Sequence, residues 1–148
     1  MNYQAELDQA APNAQTYRLL LFDNQNQPIG YARGEFRQYA MWYDGQLHFF
    51  LYELVVSDQT HRQQGLGNQL LKAVEAFART KGACWIRGQM GQKTSSYTDN
   101  ATDETAATNF WGNNGYGIKR EIYDDSIRFW KPLQRTRQPG QMTAAKFA

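Results

Sequence analysis

The change of hydrophobic period between residues 49 and 81 constrains this chain more than any other feature in it. Phe49-Phe50-Leu51-Tyr52-Glu53-Leu54-Val55-Val56 is an apolar run that reads as a strand. Asn68 to Lys81 reads as an amphipathic helix: Leu66, Leu70, Val74, Phe77 and Ala78 recur at helical spacing, while Lys72, Glu75 and Arg79 fall elsewhere. Between the two stands Arg62-Gln63-Gln64-Gly65-Leu66-Gly67. A glycine-bearing turn that opens a helix gathers unpaired backbone N–H groups at the positive end of the helix dipole, and such a turn binds phosphate. Its glycines allow left-handed angles and a close approach of ligand to main chain. Alone, the pattern fits an ordinary tight strand-to-helix connection equally well.

The elements around this unit predict a mixed sheet. Residues 1–16 are polar, with at most a short strand near Tyr3 to Leu7. Tyr17 to Phe22 reads as a strand closed by the turn Asp23-Asn24-Gln25-Asn26-Gln27-Pro28. Ile29 to Tyr39 is the next strand, and Asp44-Gly45 marks a hairpin turn into Leu47 to Val56. Gly82 is a natural stop for the helix. Ala83 to Met90 then reads as a strand, and strand–helix–strand implies a right-handed crossover between parallel neighbours. Gly91 to Asp103 is a polar loop longer than a simple connection needs. Glu104 to Asn113 reads as a short helix with Thr102 as its N-cap, ended by Asn114-Gly115. Ile118 to Tyr123 and Ile127 to Trp130 make a terminal hairpin about Asp124-Asp125-Ser126. The order β-β-β-α-β-α-β-β specifies an α+β (α/β-like) domain over residues 1–132, with 133–148 a polar tail.

Composition removes several classes of function. Sixteen basic and 14 acidic residues leave a net charge of +2, too little to argue for nucleic acid, and the scattered basic residues of the tail suit a solvated terminus. No apolar run approaches the ~20 residues of a membrane span. The N-terminus lacks a signal-peptide pattern. The lone Cys84 excludes an internal disulfide framework and suits a reducing compartment, so the cytoplasm is the expected location. His48 and His61 stand apart with no second cysteine, so no metal site is expected. Nor does the spacing signal a Ser-His-Asp hydrolase.

Two separated stretches resemble the GNAT superfamily of N-acetyltransferases. Leu54-Val55-Val56 followed by Arg62-Gln63-Gln64-Gly65-Leu66-Gly67 is similar to that family's R/Q-x-x-G-x-G/A signature after its fourth strand. Phe110-Trp111-Gly112-Asn113-Asn114-Gly115-Tyr116 is similar to the family's late helix ending in a glycine and an aromatic. With the matching order of elements, the resemblance covers about residues 17–131. It implies a mostly antiparallel mixed sheet flanked by helices, the acyl-CoA N-acyltransferase fold, and acetyl-CoA as co-substrate. By the resemblance, Leu54, Val55 and Val56 pair with the pantetheine arm, as a peptide adds to a sheet edge. The main-chain N–H groups of Arg62, Gln63, Gln64, Gly65, Leu66, Gly67 and Asn68 face the pyrophosphate, with Trp111 also near the coenzyme. The Arg62 side chain either adds charge there or is simply a solvated loop residue.

Acetyl transfer to an amine requires a neutral nucleophile, a stabilised oxyanion and a proton for the leaving thiolate. The family-like oxyanion donor is the N–H of Val56. Glu53 is the candidate for drawing in or deprotonating an ammonium; its alternative role is an edge carboxylate paired with a nearby arginine. The sequence also departs from the family. Trp111 stands where many members carry a tyrosine that serves as general acid, which leaves Tyr97, Tyr116 or water for that task. Glu104 stands where an asparagine often meets pantetheine, and the loop from Val56 to Arg62 is one residue longer than common. The helical region between the family's first two strands is shortened or absent. The acceptor site is then open and lined by Tyr39, Trp42, Tyr43 and Tyr52, or completed by a second subunit in a homodimer. The leading expectation is a direct acetyl transfer to the primary amine of a small molecule or peptide. Alternatives are a coenzyme A-binding regulatory module without catalysis and a pure interaction domain.

Overall fold

A computed structural model describes residues 2–7, 16–39, 41, 45–56, 65–90, 108–122 and 125–133. The elements are β1 (Asn2–Leu7), β2 (Thr16–Phe22), β3 (Pro28–Arg37), β4 (His48–Val56), α1 (Leu66–Thr80), β5 (Trp85–Met90), α2 (residues 108–113), β6 (Gly117–Arg120) and β7 (Ile127–Pro132). All seven strands join one sheet in the order β1-β2-β3-β4-β5-β7-β6. The first four form an antiparallel meander, one strand longer than the three expected, because Asn2–Leu7 pairs fully with β2 from Asn2↔Phe22 to Leu7↔Tyr17. Only residues 8–15 connect β1 to β2, consistent with the expected shortening before Tyr17. β5 lies parallel to β4, the pairing that the intervening helix requires.

The apolar stripe of α1 is the core it promised to be: Leu66, Leu70, Leu71, Val74, Phe77 and Ala78 are buried against β3 and β4. Each large side chain contributes about 1.5–3 kcal/mol. The helix starts at Leu66 rather than Asn68, so Gly67 lies within its first turn. It ends as expected at Gly82, whose N–H donates to Arg79 O while that of Ala83 donates to Ala78 O. Glu75 departs from expectation. It is buried at 4% exposure, accepting hydrogen bonds from Tyr116 Oη (2.7 Å) and Lys131 Nζ (3.2 and 3.3 Å). Periodicity could not foresee this, because both partners come from the far end of the chain.

Several boundaries shift for local reasons. β3 stops at Arg37, and Gln38 turns its side-chain amide to Gly45 O. β5 begins at Trp85, although Cys84 already donates from its N–H to Leu47 O and accepts from Leu133 N–H. β6 ends at Arg120, since the Glu121 N–H to Ser126 O bond closes the hairpin and leaves Ile122 96% exposed. β7 runs on to Pro132 against Trp85, and Leu133, assigned to the tail by composition, belongs to the core. The Asp23–Gln27 turn forms as read, with Asp23 Oδ1 accepting from the N–H groups of Gln25 and Gln27. Thr102, Glu104, the long loop from Gly91, Asp44 and Asp124 lie outside the described residues.

Candidate active site

The central feature is where the β4–β5 ladder stops. Pairing runs His48↔Trp85, Phe49↔Ile86, Phe50↔Arg87 and Leu51↔Gly88, and no further. β4 nevertheless continues to Val56, while β5 stays on β7 through Met90↔Ile127. The sheet therefore opens past Leu51 into a V between two parallel strands. On its other side β4 slips register: Arg33 faces Glu53 but Gly34 faces Leu51, so Tyr52 is the extra residue of a bulge.

Glycines bracket this apex. A Cβ on Gly88 would stand 2.4 Å from Phe129 Cζ and 2.8 Å from Leu51 O; one on Gly34 would stand 2.5 Å from Phe50 O. No other residue leaves room for the Phe49 and Phe129 rings beside Leu51. A glycine inside a strand pattern signals such close approach, and Gly34 and Gly88 were the overlooked clues in the sequence.

The start of α1 lies close to the end of β4: Leu70, in the second turn of the helix, and Val56 both stand against Gly30. Gly65 adopts φ 73°, no side chain caps the helix, and no acidic residue lies in its first turn. The first helical hydrogen bond is Gln69 N–H to Gly65 O, leaving the preceding N–H groups at the positive end of the dipole. Leu66, Gly67 and Asn68 occupy this turn; Arg62, Gln63 and Gln64 lie outside the described residues. Leu54 and Val56 face the α1 side with the core, whereas Glu53 and Val55 face the other side. Val56 ends β4 on the helix side, and the apex is nearer Tyr52 and Glu53.

Other expected residues have definite places. Trp111 is buried and stacked on Phe129, with centroids 3.9 Å apart and planes 11° off parallel; it also meets Phe110 and Tyr116 edge-on. Its ring belongs to the core beneath β7, one ring removed from Gly88. Tyr116 does not supply the missing acid: burial and the bond to Glu75 push its phenol far above the usual range. Tyr39 flanks His48 at the beginning of β4, the opposite end from the V, and so does not line it. Trp42, Tyr43 and Tyr97 lie outside the described residues.

The face opposite α1 carries charge at the apex. Glu53 lies 3.9 Å from Arg33, both groups partly exposed, so their attraction is screened. The Tyr31 hydroxyl donates to Glu53; that bond, with burial second, raises the Tyr31 phenol. Beside them Tyr52 accepts from Arg37 Nη2 at 2.7 Å, and its phenol is raised by burial and by its bond to Glu35. Burial pushes the Glu35 carboxyl up, but hydrogen bonds from Tyr52 and Arg37 outweigh it and hold the group below the usual range. Phe50 is sandwiched between the guanidinium groups of Arg37 and Arg87, at 4.2 and 4.4 Å.

His48, fully buried below this cluster, yields a pH prediction. Burial and the nearby Arg87 charge lower its imidazole from 6.5 to about 4, against a backbone bond to Gln46 that pulls the other way. The folded protein keeps His48 neutral while the unfolded chain protonates it near 6.5. Its contribution to stability is therefore whole above pH 6.5 and drains as pH falls toward 4, by on the order of 3 kcal/mol. Urea unfolding across that window should show this loss, and His48→Gln should flatten it. Equal slopes in both proteins would assign the loss to other groups.

Residues 2–96 match the acetyltransferase (GNAT) family. The chain belongs to that family. The GNAT match includes the β4–turn–α1 unit and ends before Phe110–Tyr116. Among solved structures, the GNAT fold recurs in a Klebsiella pneumoniae protein assigned as an acyl-CoA N-acyltransferase (TM-score 0.60, 22% identity, 84% of this chain and 77% of that one). It recurs in Arabidopsis thaliana NAA60 in complex with a bisubstrate analogue (TM-score 0.59, 10% identity, 82% and 78%). A chain of the NatC complex bound to Gag peptide and CoA is also similar (TM-score 0.56, 18% identity, 82% and 72%). At these identities the likeness is one of fold. No curated protein matches this chain. Acyl-CoA-dependent acyl transfer is the chemistry that GNAT membership carries. The residues present fit such a ligand, because the first turn of α1 is uncapped and β4 runs on past the end of its ladder with β5. Among the described residues no group of His, Cys, Asp or Glu could hold a metal, and no helix is long and apolar enough to cross a membrane.

Proposed function

We propose that this protein transfers the acetyl group of acetyl-CoA directly to a primary amine. The observation that carries this reading is the end of the β4–β5 ladder at Leu51↔Gly88, two residues before Glu53, on the strand that leads toward the uncapped first turn of α1. The bound donor supplies an activated thioester. The protein's part is to hold its phosphates on the N–H groups of Gly65 to Asn68, together with those of Arg62 to Gln64, and its amide-rich arm along Leu54 to Val56. An arm anchored beyond Val56 and laid along β4 brings its far end to the apex. Successive N–H groups of a strand point to opposite edges, so the one of Glu53 or Leu54 that faces the opening is nearer the apex than that of Val56 and better placed to receive negative charge on the thioester oxygen.

The acceptor amine approaches from the face opposite α1, where Glu53 stands between Tyr31 and Arg33. There the Glu53 carboxylate attracts the ammonium and takes up its proton, directly or through water. By analogy with the NatC complex bound to Gag peptide and CoA, a peptide amine is one acceptor class for this site, and a small-molecule amine is the other. Water or Tyr97 protonates the leaving thiolate, since neither Trp111 nor Tyr116 is available.

A second reading, a coenzyme A-binding regulatory module, draws support from the buried Trp111 and the Tyr116–Glu75 bond, which leave the late helix without an acid. The two separate in one assay. Calorimetric titration with acetyl-CoA should show binding, and thiol release should rise with an amine panel. Glu53→Gln should lower kcat/KM about 100-fold with acetyl-CoA affinity retained. Binding without thiol release for any amine would favour the regulatory module, and no binding at millimolar acetyl-CoA would defeat both.

A further inference from the structure

The buried carboxylate of Glu75 is unused by the chemistry above, and its connections lead back to the site. Glu75 sits in the middle of α1 and holds Lys131 Nζ from β7. Lys131 Nζ also donates to Asn114 O at 3.1 Å. The Asn114 side-chain amide donates to Asn68 Oδ1 at 2.9 Å and to Phe110 O at 2.8 Å. Asn68 lies in the first turn of the same helix, and Phe110 Cε1 would lie 3.4 Å from a Cβ on Gly67 beside it. The loop is thus closed: α1 is gripped at its first turn and at its middle by one segment, Phe110 to Tyr116, with Lys131 as the tie.

We infer that Asn68, Glu75, Asn114 and Lys131 form a positioning network that aims the first turn of α1 at the phosphates of the donor. The inference rests on the reading of that turn as the phosphate cradle. A buried ion pair adds little net stability over apolar packing, but its hydrogen bonds are directional and hold one arrangement. Hydrogen bonds from helix N–H groups to phosphate are charge-assisted and sensitive to aim. A first turn free to tilt would bind the donor less well while the acetyl-transfer groups on β4 stayed in place. The side chains of these four residues act through α1 and touch neither the donor nor the reacting atoms.

Calorimetric titration with acetyl-CoA on Asn68→Ala, Asn114→Ala and the double variant tests this, together with steady-state kinetics and melting of the unliganded proteins. Each single variant should weaken acetyl-CoA binding about tenfold, and the double variant should be no weaker than either single one. For Asn114→Ala, KM for acetyl-CoA should rise with kcat within twofold, a split that general loss of structure does not produce. Lys131→Met should reproduce the effect, and melting of each unliganded variant separates a loss of aim from a loss of fold. Unchanged affinity in the single variants, or additive losses in the double, would overturn the network while leaving the donor site standing. A wild-type protein that binds no acetyl-CoA would remove the donor site and the network together.

Discussion

Gly88→Ala is expected to destabilise the protein by on the order of 3 kcal/mol, lowering Tm by about 10 °C. The added methyl meets two obstacles of different kinds. One is Phe129 Cζ at 2.4 Å, and that ring is held in place by the stacked Trp111. The other is Leu51 O at 2.8 Å, a backbone atom in the last rung of the β4–β5 ladder. Neither can retreat as the end of a flexible side chain could. Combining Gly88→Ala with Phe129→Leu should recover only the part of the loss due to the ring. Because the last rung is also the apex of the V, the single variant should lose acetyl-CoA affinity even at temperatures where it stays folded. A Gly88→Ala protein melting within 2 °C of wild type would show that the strands at the apex yield easily, and the close approach would then decide nothing.

Gly67→Asp should act in opposite directions on stability and on ligand. Gly67 has an ordinary helical conformation, and a Cβ there meets Phe110 at 3.4 Å, which needs only a small adjustment. Replacing glycine within a helix, and placing a carboxylate in a first turn that has no acidic residue, each favour the fold by a few tenths to ~1 kcal/mol. Tm should hold or rise. The same carboxylate would stand where a pyrophosphate is to bind, and repulsion at that range weakens acetyl-CoA binding by about 100-fold or more. Gly67→Asn, nearly the same shape without charge, should lose far less, and the gap between the two variants should narrow in high salt. Equal affinity of the Asp and Asn variants would rule out the first turn of α1 as the anion site.

How much of this was legible in the sequence depends on the range of the forces involved. The helical stripe Leu66–Ala78, the stop at Gly82 and the Asp23–Gln27 turn are local, and each formed as read. Glu53 could be picked out because a carboxylate interrupts an apolar strand, and its neighbour Arg33 was half-foreseen as a nearby arginine. Glu75 was read as lying off the buried stripe because helical period cannot know that Tyr116 and Lys131 will arrive beside it. Tyr116 was open as an acid for the same reason. Tyr39 was read as lining the acceptor site, but in an antiparallel meander the β3–β4 connection lies at the end where β4 begins, far from where it opens.

The sequence by itself determined most of the order of strands and helices, the apolar faces of most of them, and a glycine turn that opens a helix with unpaired N–H groups. Those follow from backbone preference and from side-chain spacing within single elements. Only the tertiary structure decided that β4 and β5 part after Leu51↔Gly88, that Trp111 lies under Phe129, and that Asn68 and Glu75 are tied through Asn114 and Lys131. Each depends on register and packing between segments remote in sequence, where a single glycine or buried charge sets how closely two backbones can approach.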